Sequence, residues 1–125
     1  MMEKTRPKHL DLPKIRLPIP GIVSILHRVS GVLLFVSIPV VLYLLAGSLS
    51  SQAQFDAYRA LVAFPLVKLA LLALLWAYLH HACAGIRFLL LDVHKGLELE
   101  TARNTAKLVM VVSLVLTAFI GGVLW

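Results

Sequence analysis

Two stretches of this sequence hold side chains that could do chemistry inside otherwise apolar runs. The first is Ser24-Ile25-Leu26-His27-Arg28-Val29-Ser30-Gly31, which places a hydroxyl, an imidazole and a guanidinium at the start of a long apolar segment. Ser24 and Arg28 are four residues apart and share a helix face, with Gly31 three residues further on and His27 beside that face. An arginine at the centre of a membrane-spanning helix costs roughly 2.5–3.5 kcal/mol on insertion scales, and less near an end. Two readings are therefore open. The groups reach back to headgroups and water, or they meet a partner that needs donors and positive charge.

The second stretch holds His81, followed by Gly85 and Arg87. Gly85 lies one turn on, on the same face, and predicts a flat gap beside the imidazole. A buried neutral imidazole next to a gap suits an axial ligand of haem iron. On general grounds a lone intramembrane histidine is more often one hydrogen-bonded to a neighbouring helix. His80 points about 100° away from His81 on a helix and cannot share its role.

The elements that must carry these groups are apolar. Of 125 residues, 60% are apolar and only 14% charged, against about 45–50% and 25% in soluble domains. The apolar residues come in blocks, so the expected class is an all-α membrane protein. The net charge of +6 does not indicate nucleic acid, because the charges flank apolar runs and form no single face. The sole cysteine, Cys83, cannot form an intrachain disulfide, has no zinc-like spacing, and reads as a small packing residue. No cleavable signal peptide is expected, since the first apolar run begins late and is long. A proline-broken arm with Glu3 and Asp11 makes a poor transit helix, which favours a bacterial protein.

Residues 1–20 form a basic arm with Lys4, Arg6, Lys8, Lys14 and Arg16, broken by Pro7, Pro13, Pro18 and Pro20. It is expected to lie extended on anionic lipid or on a partner. Residues 21–125 are expected to form a three-helix transmembrane anchor domain, with helices at about 21–49, 63–91 and 108–125. Val29–Leu49 alone is uncharged over about 32 Å, enough to cross a hydrocarbon core of about 30 Å. Pro39 lies inside that run. Trp76 and Tyr78 are expected to face lipid or a partner, and Gly121-Gly122 could allow close helix contact. Trp125 suits the interfacial aromatic belt.

Lysine and arginine set the orientation. The arm carries five, and Arg87 near the end of the second helix with Lys95, Arg103 and Lys107 after it adds four, whereas the first connection has only Arg59 with Lys68 just inside the next helix. The N-terminus and second connection are therefore expected in the cytoplasm, and the C-terminus on the outer face. This puts His81 and the Ser24–Gly31 cluster at the same membrane side. A single chain offers one well-placed intramembrane ligand, so a bis-histidine haem would need a second histidine from another chain.

At these two stretches the sequence resembles the cytochrome b large anchor subunit of succinate dehydrogenase, respiratory complex II. That family carries an Arg-Pro in the arm followed by Ser-x-x-His-Arg-x-Ser/Thr-Gly. Here these read Arg6-Pro7 and Ser24 to Gly31. It also carries His-x-x-x-Gly-x-Arg-His with an aspartate four residues later, which reads here as His81 to Phe88 and then Asp92. Phe88 stands where the second histidine would be. The resemblance covers the chain from about Arg6 to its end.

The resemblance implies a part of a heteromeric helix bundle in a bacterial inner membrane. His81 falls at the axial haem b ligand, with the other ligand supplied by a small hydrophobic anchor subunit. Ser24 and Arg28 fall at the ubiquinone-binding serine and arginine, and His27 and Arg28 at groups near the haem propionates. An iron–sulfur subunit and an FAD flavoprotein subunit would complete the complex, carrying electrons from succinate to quinone. This chain would not itself touch succinate. Two other readings remain: the anchor of a fumarate reductase, and a cofactor-free structural anchor or small transporter.

Overall fold

The structure is a computed structural model, and it describes residues 14–125. Most of the basic arm, including Arg6-Pro7, lies outside the described residues. Four helices follow in order: α1 (Ile19–Ser48), α2 (Gln52–Ala63), α3 (Pro65–Asp92) and α4 (Leu99–Leu124). Among the described residues, α1, α3 and α4 are long and apolar enough to cross a membrane. Their 30, 28 and 26 residues span about 45, 42 and 39 Å. Each is longer than the hydrocarbon core, an excess that tilt or projection takes up.

Prolines and capping groups set the breaks. Pro20 lies in the first turn of α1 and Pro65 opens α3, where a missing N–H costs nothing. Phe64, held extended by the following proline, ends α2. The Ser51 Oγ caps α2 by accepting from the Gln54 N–H at 3.2 Å. α2 is an addition to the three predicted helices, because its polar sequence reads as a connection. Tyr58 on α2 packs over Gly47 of α1, where a Cβ would collide with its ring and hydroxyl.

α4 begins at Leu99, nine residues before the predicted start at 108. Glu100, Arg103 and Lys107 end the apolar run without ending the helix. Between α3 and α4 the chain turns through a Schellman motif. The Lys95 N–H donates to Leu90 O at 3.0 Å and the His94 N–H to Leu91 O at 2.9 Å. His94 sits at the left-handed position with φ 60°, usually taken by glycine.

α1, α3 and α4 pack against one another, and α2 touches α1 and α3. Val23, Ala84, Ala106 and Val109 form the buried cluster, with Cys83, Phe88 and Met110 against it. These residues come from the start of α1, the end of α3 and the start of α4, so those three ends lie together. At the opposite end Gly121 receives Leu72, and a Cβ there would overlap it, whereas Gly122 faces open space. Small residues thus let the helices approach, as expected where lipid outside is as apolar as the core. Large apolar side chains point outward along every span. The Ser30, Ser37, Ser113 and Thr117 hydroxyls donate back to carbonyls of their own helices.

Candidate functional site

The site forms where α1 crosses the second half of α3. Val23 and Ser30, seven residues apart, are the buried positions of α1, so the stripe between them faces α3. His27 and Gly31 border that stripe. On α3 the opposing positions are His81 and Gly85. The imidazoles of His27 and His81 stack, with ring centroids 4.1 Å apart and planes at 9°. Phe88 packs against the His27 ring at 5.1 Å and 59°. An aromatic contact thus occupies the position where the motif's second histidine would offer a polar one.

The tautomer of His81 follows from its neighbours. Nδ1 lies 2.9 Å from the His27 carbonyl oxygen and 3.2 Å from Ser30 Oγ. A lone pair on Nδ1 would face the carbonyl lone pairs at hydrogen-bond distance, which is repulsive. Nδ1 therefore carries the proton and donates to the His27 carbonyl. Ser30 Oγ donates to the same carbonyl at 2.9 Å. Nε2 keeps its lone pair and makes no hydrogen bond among the described residues. An imidazole anchored through Nδ1–H to a backbone carbonyl, with Nε2 free, is the arrangement that orients a metal-ligating histidine.

The gap expected beside Gly85 is taken by the neighbouring helix. The His27 Nε2 sits 3.7 Å from where a Gly85 Cβ would be. The glycine that makes room for His81 is Gly31, whose Cβ would lie 2.9 Å from His81 Cε1. Sequence spacing shows which residues share one helix face, and it does not show which residue of another helix comes to that face. Ser30 and Gly31 were present in the first motif, but nothing in the spacing tied them to His81.

Ser24 and Arg28 lie on the outer side of this stripe. Ser24 is half-buried and Arg28 exposed, where Arg28 borders a shallow apolar groove with Val29, Val32, Leu33 and Val36. The structure thus joins His27 to His81 and leaves the Ser24–Arg28 face available to another molecule.

Two residues behave differently from their sequence reading. Arg87, counted among the cations flanking the membrane, turns inward and is buried. Its Nε donates to Thr105 Oγ1 and its Nη2 to the Ala102 carbonyl of α4, both at 3.1 Å. Trp76, expected to face lipid or a partner, packs on His80 with centroids 5.2 Å apart. His80 is fully buried. Both His80 ring nitrogens and Trp76 Nε1 lack hydrogen-bond partners among the described residues.

Among the described residues no three His, Cys, Asp or Glu side chains gather around a common point. Metal binding at His81 would thus need an ion whose other ligands come mostly from elsewhere, as in a macrocycle.

Three apolar spans, with paired imidazoles between two of them and a buried arginine tying in the third, define a polytopic helical membrane protein. The chain belongs to the succinate dehydrogenase/fumarate reductase transmembrane subunit family, which it matches over residues 2–120. It is similar to the succinate dehydrogenase cytochrome b556 subunit of Coxiella burnetii, 35% identical over 125 residues, 99% of this chain and 100% of the relative. The subunits of the same name from Rickettsia felis and Paracoccus denitrificans are each 32% identical. They cover 90% and 89% of this chain and 87% and 85% of their own lengths.

Proposed function

We propose that this chain is the anchor subunit of a succinate:quinone oxidoreductase that holds haem b through His81 and contributes Ser24 and Arg28 to the ubiquinone site. The observation that carries the reading is the hydrogen bond from His81 Nδ1 to the His27 carbonyl. It fixes the ring so that Nε2 is the free donor atom, which is what an axial haem position requires. The relatives' designation as cytochrome b556 subunits supports haem b as the group. Bound there, the haem would supply a one-electron relay close to the quinone. The second axial ligand would come from a small hydrophobic sister subunit.

The chain's own residues then do three things. Ser30 and the His27 carbonyl hold the tautomer and orientation of His81. His27, stacked on that ring, and Arg28 would be the groups that contact the haem propionates. Ser24, half-buried, and Arg28, exposed, share one helix face and donate to a quinone carbonyl as it gains electrons and negative charge, and so favour its protonation. Conversion of a quinone to a quinol takes up two electrons and two protons. The electrons originate at succinate, on a flavoprotein subunit, and arrive through an iron–sulfur subunit.

The distribution of lysine and arginine supports a cytoplasmic N-terminus and a periplasmic C-terminus in a bacterial inner membrane. A fumarate reductase anchor would use the same parts in reverse. The family covers both, and the direction rests on the partner subunits and the quinone potential.

The test is the reduced-minus-oxidised spectrum of the purified complex. A b-type absorbance that disappears in His81→Ala, with the subunits still assembled, is the expected result. An unchanged haem spectrum in that variant would overturn the ligand assignment. A wild-type complex without b-type absorbance would favour a cofactor-free anchor.

A further inference from the structure

Among the described residues Arg87 has no counter-ion. It is 6% exposed, and its partners Thr105 Oγ1 and the Ala102 carbonyl are neutral. Its Cζ also stands 5.6 Å from the Phe88 ring centroid. Among the described residues it forms no ion pair. Burying a guanidinium with only neutral acceptors is costly, and the cost falls when an anion joins it.

Arg87 lines a groove of about 370 Å³ between α3 and α4, on a different side of α3 from the His27–His81 stack. Lys95 and Gly96, in the turn after α3, close one end of it. The walls beyond are Ile86, Leu90, Leu108 and Val112. The groove therefore sets two cations, Arg87 within it and Lys95 at its end, in an otherwise largely apolar lining along a membrane-spanning pair of helices.

We propose that this groove binds one anionic phospholipid, with its phosphate between Arg87 and Lys95 and an acyl chain along Ile86, Leu90, Leu108 and Val112. The charge complementarity selects an anion. The apolar walls select a tail without hydrogen-bonding groups, because an extended peptide would leave its amides unpaired there. A guanidinium pairs a phosphate through two parallel hydrogen bonds, and the lysine adds a second charge from the membrane surface. The site is independent of the haem and quinone assignments, since none of its residues belongs to either.

The test uses the intact complex, stripped of lipid in detergent and then offered phosphatidylglycerol, phosphatidylcholine or inorganic phosphate. Bound lipid is counted by mass spectrometry and thermal stability is followed in parallel. Phosphatidylglycerol is expected to bind at one extra equivalent and raise the unfolding temperature, while phosphatidylcholine and inorganic phosphate do neither. Lys95→Gln, on the exposed turn, should weaken that binding roughly tenfold, the usual loss for one charge-assisted hydrogen bond. Arg87→Gln should weaken it further, and Lys95→Gln carries the test alone if Arg87→Gln fails to assemble. A photo-crosslinking amino acid at position 112 should label lipid. Equal retention of phosphatidylcholine, equal stabilisation by inorganic phosphate, unchanged binding in Lys95→Gln, or a crosslink from position 112 to another subunit would each overturn the proposal.

Discussion

His27 and His81 meet twice, through different parts of the same residue. The two imidazoles stack at 4.1 Å, and the His27 carbonyl accepts the His81 Nδ1 proton at 2.9 Å. The first contact belongs to a side chain and the second to the backbone, so substitution can separate them.

His27→Ala removes the stack and keeps the carbonyl. Haem content per flavin is expected to stay at the wild-type ratio. Stability should fall by about 1 kcal/mol, the scale of one aromatic pair. Pyridine haemochrome analysis and thermal unfolding of the complex read the two effects separately. Complete loss of haem would mean that the side chain, and not the carbonyl, sets the ligand.

Gly31→Ala acts on the ring from the other side. The new methyl would lie 2.9 Å from His81 Cε1, so the imidazole must turn away. Overpacking of this kind costs about 1–3 kcal/mol. The expected outcome is an assembled complex with reduced haem occupancy, and Gly31→Val should be worse. Full occupancy in both variants would show that the ring has room this packing does not predict.

Arg28→Leu tests the exposed face. Because Arg28 is exposed on this chain and makes no hydrogen bond to α3, the variant should fold and retain haem. Quinone reduction should drop by roughly one to two orders of magnitude, matching about 1.5–3 kcal/mol for a hydrogen bond to a charged group. Succinate oxidation by an artificial acceptor should persist. Normal quinone turnover would remove Arg28 from the site.

His94→Gly should stabilise the turn between α3 and α4. A left-handed residue other than glycine costs roughly 1–2 kcal/mol, and the greater freedom of glycine in the unfolded chain offsets part of that. A gain of about 0.5–1 kcal/mol in unfolding free energy is expected. A lower unfolding temperature would indicate that the imidazole makes a contact that outweighs its strained backbone.

Hydropathy made the three spans legible, because membrane crossing depends on a continuous apolar run. It placed the start of α4 too late for the same reason. A helix can continue through Glu100, Arg103 and Lys107 once it has left the hydrocarbon, and a hydropathy boundary marks the membrane and not the helix. α2 went unseen because it buries none of its residues and gives no strong apolar signal. At the site, residue type and spacing singled out His81, His27 and Ser24–Arg28 as polar groups within apolar runs, and their roles came from the family resemblance. Gly31 as the partner of the His81 ring was not, nor was Arg87 as an inward-facing residue. Both depend on how two helices are rotated against each other, which the order of residues along either one does not specify.

The early start of α4 also bears on rates. Its first turns carry Glu100 and Arg103 in helical form, and Arg87 ties them to α3 through Thr105 and Ala102. A soluble electron donor seated on that stub would be held at a set height above His81, because a helix pinned to its neighbour compresses very little. Electron tunnelling slows steeply with every added ångström. Under the proposed function, the stub would act as a ruler, making the transfer time a property of the fold and not of how a loop happens to lie.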